Sequence, residues 1–315
     1  MELSDYLSIG TEESLAHFKV DQFAPPLVNL LTADYNPNAV LLAVRTVAHL
    51  LEALPQAAPT LVRHGAVPPL VMRLTAPEWI DLAEQAIQAI EKLAENPSGT
   101  IALLKQGGLA ALVALLDFFP VSVQRQAINA ASFLCRAVTA DTWGSVEDAL
   151  PSLAPLLDHH EPRVQERAVL CWSRLVDAFA TDPVKLRRLN DSGLAHSLPR
   201  LLTLTPTQPP AGQASPIALA IKILLVLMRG CPVLVENYIV EGIVPVVKQL
   251  LANSEVMKNP QIVFDLLQLV NELLPPLPDA VAQLLVTQLV LSRPRLHKKR
   301  KEGEKEVSYA AYISI

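Results

Sequence analysis

The chain has 315 residues, 51% of them apolar, 5% aromatic and 18% charged, with a formal net charge of −5. Residues 291–315 hold seven Lys and Arg against three Glu, so the remaining body carries 19 basic and 28 acidic residues. An acidic body argues against general nucleic-acid binding, which needs surface cations to displace counterions. Three cysteines (Cys135, Cys171 and Cys231), spaced 36 and 60 residues apart, fit no disulfide framework or zinc pattern. They read as reduced, buried thiols in an intracellular protein.

Taken in chain order, the sequence opens on Met1-Glu2-Leu3-Ser4-Asp5, which has no basic n-region of a secretory signal. A short apolar motif then returns six times: residues 23–31 (FAPPLVNLL), 66–74 (AVPPLVMRL), 108–116 (GLAALVALL), 149–157 (ALPSLAPLL), 193–202 (GLAHSLPRLL) and 242–251 (GIVPVVKQLL). Its last leucines stand at 31, 74, 116, 157, 202 and 251, which makes the steps 43, 42, 41, 45 and 49 residues. A longer amphipathic run follows each motif, at 39–54, 80–95, 121–138, 164–179, 217–228 and 262–274. In the second run Leu82, Ala83, Ala86, Ile87, Ala89, Ile90 and Leu93 fall at helical spacing, opposite Asp81, Glu84, Gln88, Glu91 and Glu95.

Helical units with a period in the low forties predict an all-α, armadillo- or HEAT-like, right-handed superhelical solenoid of about six repeats. Gly65, Gly107, Gly193 and Gly242 recur near that period and suit sharp corners between helices. Pro25, Pro37, Pro68, Pro77, Pro97, Pro120, Pro162 and Pro260 are expected at element edges, where a missing N–H costs little. The solenoid is expected over 1–290, interrupted by a mobile loop at about 203–215 (rich in Pro, Gly, Gln and Thr) and followed by a basic, disordered tail at 291–315. The longest apolar stretch, 217–228, is too short to span a bilayer and contains Lys222, so no membrane partner is expected.

No catalytic set emerges: no phosphate-binding glycine loop, no G-x-S-x-G elbow, no H-E-x-x-H and no paired C-x-x-C. Neither metal nor cofactor is expected; His159-His160 reads as a polar turn before Pro162. What remains is a surface. In an armadillo stack the long third helices line the concave groove, and their polar positions are the candidate protein-binding residues. These are Arg45, His49, Glu84, Gln88, Arg125, Asn129, Ser132, Arg136, Arg167, Arg174 and Gln268; plain solvation of an exposed helix face is the competing reading. Trp79, Trp143 and Trp172 are followed at i+4 by Ala83, Glu147 and Val176, not by the asparagine of nuclear-import receptors, which argues against that function. Arg293, Arg295, Lys298, Lys299, Arg300 and Lys301 form a candidate nuclear-localisation run.

Several fragments carry a more specific signal: residues 7–15 (LSIGTEESL), 18–23 (FKVDQF), 81–86 (DLAEQA), 107–109 (GGL), 116–119 (LDFF) with Gln124-Arg125, and 271–278 (NELLPPLP). In this order, over about residues 3–280, they resemble the armadillo region of a group of HECT-type E3 ubiquitin-protein ligases. The group comprises the plant Kaktus-type, fungal ubiquitin-fusion-degradation and animal thyroid-receptor-interacting ligases. The resemblance implies a region that recruits substrate and acceptor proteins, while a C-terminal HECT domain elsewhere carries ubiquitin as a cysteine thioester. None of the three cysteines sits in a context like that active site, so no catalytic residue is carried over. The expected function is therefore substrate and acceptor recruitment for polyubiquitination and proteasomal degradation, with the HECT domain absent from this chain. Expected partners are protein substrates and ubiquitin itself, in the nucleus or cytoplasm; a stand-alone armadillo scaffold or adaptor is the alternative.

Overall fold

A computed structural model describes residues 2–10, 18–33, 36–75, 79–203 and 215–279, together with the single positions 282, 283, 285 and 287. The expected loop at about 203–215 and the basic run at 293–301 lie almost wholly outside the described residues, as does Pro77. Helices account for all the regular structure in the described residues. The six apolar motifs form or end the helices α2 (Val20–Leu31), α5 (Val67–Leu74), α8 (Gly108–Ala114), α10 (Trp143–Leu153), α13 (Ala195–Leu202) and α16 (Ile243–Ala252). The six longer runs form α3 (Pro37–Ala53), α6 (Ile80–Ala94), α9 (Val121–Arg136), α11 (Pro162–Ala178), α14 (Pro216–Gly230) and α17 (Pro260–Leu273). Short helices precede most motifs: α4 (Ala58–Arg63), α7 (Pro97–Lys105), α12 (Pro183–Leu189) and α15 (Val233–Val240). In the fourth repeat a single 3-10 turn at Ala140–Thr142 takes their place. A further helix, α1 (Glu2–Ser8), packs on α3.

The long helices pack in strict succession, α3 on α6, α6 on α9, α9 on α11, α11 on α14 and α14 on α17. They form one continuous layer, and the motif helices form the other. The inner long helices keep long neighbours on both sides and bury small residues: Ala83, Ala86, Ala89 and Ala94 in α6, and Ala127, Ala130 and Ala131 in α9. The core is thus a continuous band of Leu, Ile, Val and Ala running the length of the stack.

Starts and corners are locally encoded. Asn36, Asn96, Asp182, Ser215 and Asn259 each accept a backbone N–H at a helix start, and each is followed by a proline in the first turn. Such a cap is worth ~1 kcal/mol, and the proline gives up an N–H that has no helical acceptor anyway. Pro162 opens α11 in the same way without a side-chain cap. Pro25 departs from the expectation: with Pro26 it lies inside α2, and Pro151 and Pro199 likewise lie inside α10 and α13. These prolines lie past the first turn of short helices, so each gives up one i→i−4 bond. All four periodic glycines have positive φ, from 71° at Gly107 to 136° at Gly193. Each turns the chain into a motif helix through a backbone region that other residues enter at a cost.

Polar side chains stitch successive repeats at separations close to one period. In the shorter-helix layer Arg73 Nη2 donates to Leu31 O (2.8 Å), Ser145 Oγ to Leu104 O (2.9 Å), and Arg188 Nε to Glu147 (2.9 Å). One tie is buried: Tyr238 Oη donates to Asn190 Oδ1 at 2.6 Å, and burial pushes the phenol's pKa far above its ordinary value. The cysteines are buried and unbridged, and contact with Cys171 together with burial raises the Cys135 thiol well above its usual range.

Two stability measurements check this account. Leu116 is 1% exposed, so Leu116→Asp loses its packing and buries an unpaired carboxylate, a cost of about 4 kcal/mol or more. Hydrogen exchange should show the loss starting in the third repeat and spreading to its neighbours, whereas uniform loss from the first repeat onward would contradict nearest-neighbour stacking. Tyr238→Phe strands the Asn190 carbonyl oxygen and should lower denaturant stability by roughly 1–3 kcal/mol.

Candidate protein-binding surface

The polar positions of the long helices are built into a line of contacts between neighbours. Arg45 Nε reaches Gln85 Oε1 at 3.4 Å between α3 and α6. Asn129 Nδ2 donates to Glu91 Oε1 at 2.8 Å between α9 and α6. Arg125 donates twice to Glu161 Oε1, from Nε at 3.0 Å and Nη2 at 2.5 Å, linking α9 to the residue that precedes α11. Arg174 Nη1 donates to the Ser132 carbonyl, and Lys222 Nζ donates to Asp177 Oδ2 at 2.5 Å. Arg229 closes the series with Glu272 Oε1 at 2.9 Å and Gln268 Oε1 at 3.2 Å.

The sequence-derived candidates divide on this frame. Arg45, Arg125 and Arg136 are exposed; Glu84, Gln88, Asn129, Arg167, Arg174 and Gln268 are half-buried on the same layer. Arg136 lies over the Phe133 ring, 5.7 Å from its centroid. Ser132 does not join them: it is 1% exposed, and its hydroxyl donates to the Asn129 carbonyl at 2.7 Å, so its side chain serves the helix. His49 is held from within, its Nδ1 lying 3.1 Å from the Ser4 carbonyl and 3.2 Å from the Ser4 hydroxyl. That nitrogen faces α1, which packs on α3.

Three of the candidates, Arg125, Asn129 and Arg167, meet at one cleft of about 240 Å³, which Glu91, Gln126 and Arg163 also line. Arg163 was not among the sequence-derived residues, although its place one turn before Arg167 puts it on the same face of α11. Arg125 and Asn129 bear the same i, i+4 relation on α9. Burial raises the Glu91 carboxyl above its ordinary pKa, against the pull of the Asn129 amide and the Lys92 and Arg167 charges. The Arg125 hydrogen bonds hold the Glu161 carboxyl below its ordinary value. Burial also lowers Arg174, which stays cationic all the same. The Asn129 Oδ1 atom is buried and has no hydrogen-bond partner. The chemistry on offer is charge and hydrogen-bond recognition. Among the described residues no three His, Cys, Asp or Glu gather in a way that could hold a metal ion, and no single helix is long and apolar enough to cross a membrane.

A second cleft of about 310 Å³, lined by Pro37, Asn38, Leu41, Trp79, Ile80, Asp81 and Leu82, lies at the starts of α3 and α6 and is mainly apolar. Trp79 is 50% exposed there, while Trp172 is wholly buried in the core and Trp143 packs edge-on against Phe179 at 5.0 Å. The three tryptophans therefore do not form a ladder along one face.

The Glu91 environment makes a pH prediction. Its folded pKa lies above the unfolded one, so the native state binds the proton more tightly, and this group's contribution to stability falls as pH rises through that interval. Glu91→Gln keeps an acceptor for Asn129 and removes the buried charge. The variant should melt higher than the parent at about pH 8, and the gap should narrow as pH falls towards the ordinary carboxylate value of 4.5, read by thermal unfolding.

The polar layer belongs to a known lineage. A family model described as "E3 ubiquitin-protein ligase TRIP12-like, TPR repeats" matches residues 1–101. The E3 ubiquitin-protein ligase UPL3 of Arabidopsis thaliana is 36% identical over 313 residues, covering 95% of this chain and 16% of UPL3. The E3 ubiquitin-protein ligase TRIP12 of Danio rerio is 31% identical over 288 residues, covering 88% of this chain and 14% of TRIP12. Among solved structures, a designed armadillo repeat protein aligns with TM-score 0.60 at 21% identity, over 79% of this chain and 99% of that one. Another engineered protein aligns with TM-score 0.68 at 20% identity, over 92% of this chain and 66% of that one. The fold is therefore of the armadillo type, in keeping with steps of 41 to 49 residues; a tetratricopeptide unit has a period of about 34. The chain is an armadillo-type repeat region of the HECT-type E3 ubiquitin-protein ligases related to UPL3 and TRIP12, and it spans 16% and 14% of the length of those two relatives.

Proposed function

We propose that this chain is the substrate- and acceptor-recruiting arm of a HECT-type ubiquitin ligase acting in protein polyubiquitination and proteasomal degradation. The observation that carries the reading is the 36% identity to UPL3 over 95% of the chain, joined to a solenoid whose long-helix layer holds a cleft lined by Arg125, Asn129, Arg163 and Arg167. Solenoids present extended surfaces along a stack of units, which suits holding a protein in reach of a separate catalytic domain. Its partners on this reading are protein substrates and ubiquitin, and the basic run at 293–301 supports a nuclear as well as a cytoplasmic location.

Competition tests it. Added in excess to a ubiquitination reaction run by the UPL3 ligase, the chain should lower substrate modification while the ligase's own ubiquitin thioester forms as before. Substrate modification that persists, or that falls together with the thioester, would count against recruitment. A transcript whose reading frame continues into a HECT domain supports the ligase reading over a stand-alone adaptor.

A further inference from the structure

The charge on the long-helix layer is not spread evenly. The exposed and half-buried face of α6, with its C-cap Glu95, carries Asp81, Glu84 and Glu91 against Lys92. The next two long helices reverse this: α9 holds two arginines and no acid, and α11 holds three arginines against Glu166 and Asp177. Five arginines on two adjacent helices form a cationic island in a chain whose net charge is −5.

Within the island the internal partners are incomplete. Arg125 is matched by Glu161, and Arg174 is half-buried against the Ser132 carbonyl. Arg163 and Arg167 line the cleft beside them with no close ion pair among the described residues, and their guanidinium groups act on Glu161 and Glu91 through charge alone. The Asn129 carbonyl oxygen, buried at the same cleft, also has no partner. Guanidinium groups in a recess that hold no carboxylate in a close pair attract one, which they grip through two parallel N–H donors. Arg163 to Arg174 and Arg125 to Arg136 each cover eleven helical steps, a rise of about 16 Å, which an extended peptide of about five residues matches. Glu91 in the cleft and Glu161, paired with Arg125 at its edge, interrupt the positive field, which disfavours a uniform polyanion such as nucleic acid and suits spaced carboxylates.

We infer that the cleft between α9 and α11 binds an extended acidic segment of a partner protein, with Arg163 and Arg167 holding its carboxylates. The inference rests on the recruiting role proposed above and narrows the partner's chemistry. Association is steered by charge, so it weakens as salt rises. The match is to Asp and Glu side chains spaced along an extended chain.

The test uses the whole chain and a fluorescein-labelled peptide of about twelve residues with alternating Glu and Ser, read by anisotropy at low and moderate salt. The parent should bind it, and an otherwise identical peptide with Gln for Glu should bind at least about tenfold more weakly. Arg163→Glu with Arg167→Glu should weaken binding by about tenfold or more, while Lys105→Glu with Arg187→Glu, an equal charge change outside the cleft, should bind like the parent. The charges of Arg167 and Arg163 act on Glu91 and Glu161, so folding of the double variant is checked by its helical circular dichroism, and Arg163→Gln with Arg167→Gln, which places no acid beside them, should also weaken binding. Equal loss in both charge-reversed double variants would mean only general charge attraction and would overturn the site. A single-stranded oligonucleotide binding more tightly than the peptide would overturn the acidic-protein assignment. Competition in the UPL3 reaction that survives Arg163→Glu with Arg167→Glu would leave recruitment standing and remove this cleft from it, so the two readings fail separately.

Discussion

No repeat in this chain can bury its own apolar surface. α6 packs on α3 on one side and α9 on the other, and its core residues, Ala86, Ile87, Ala89, Ile90 and Leu93, are at most 1% exposed only because both neighbours are present. That dependence fixes the geometry of everything else. Alanines set how closely the long helices approach, asparagine–proline and aspartate–proline pairs set where several of them and some of the short helices begin, and glycines of positive φ turn the chain between helices. α1 meets the same constraint at the first repeat by covering α3, which is why His49 is engaged with Ser4.

The polar bonds between repeats act on a different scale. Pairs such as Arg188–Glu147 and Lys222–Asp177 are largely exposed, and such pairs contribute about 0–1 kcal/mol each. They cannot hold the stack together, but their spacing near one period means that each is satisfied only in one register of neighbouring helices. Tyr238–Asn190 is the exception, because both groups are buried and neither can fall back on water. Stability therefore lives in the apolar band, and alignment lives in the polar line.

Much of the fold was legible in the sequence because its two signals are periodic. The motif leucines and the amphipathic runs located the motif and long helices to within a few residues, since burial on a stacked helix repeats at helical spacing. The short helices α4, α7, α12 and α15 escaped notice: at six to nine residues they are too brief for an apolar stripe to stand out. Pro25 misled because proline marks edges only on average, and α2 holds it inside. The surface was less legible. Ser132 and His49 lie on polar-looking faces, yet one bonds its own helix and the other meets α1, contacts that helical periodicity cannot report. Arg163 was within reach as the i−4 neighbour of Arg167. The partnering of Arg125 with Glu161 was not, since it depends on how two repeats align.

That last pair explains how one helix layer can serve alignment and recognition together. A cation matched inside the stack, as Arg125 is by Glu161, would have to exchange one carboxylate for another, so a partner gains little there. Arg163 and Arg167 have no such pair to break, and their cleft is shallow enough that losing water costs less than it would in a core. Binding strength should therefore concentrate on α11, while α9 contributes a pre-aligned wall. The Glu91 carboxylate, held by Asn129 on the opposite side, repels an incoming acid and limits where it can sit. Attraction from one helix and repulsion from another across the same recess give the cleft a direction, which a uniformly basic groove would lack.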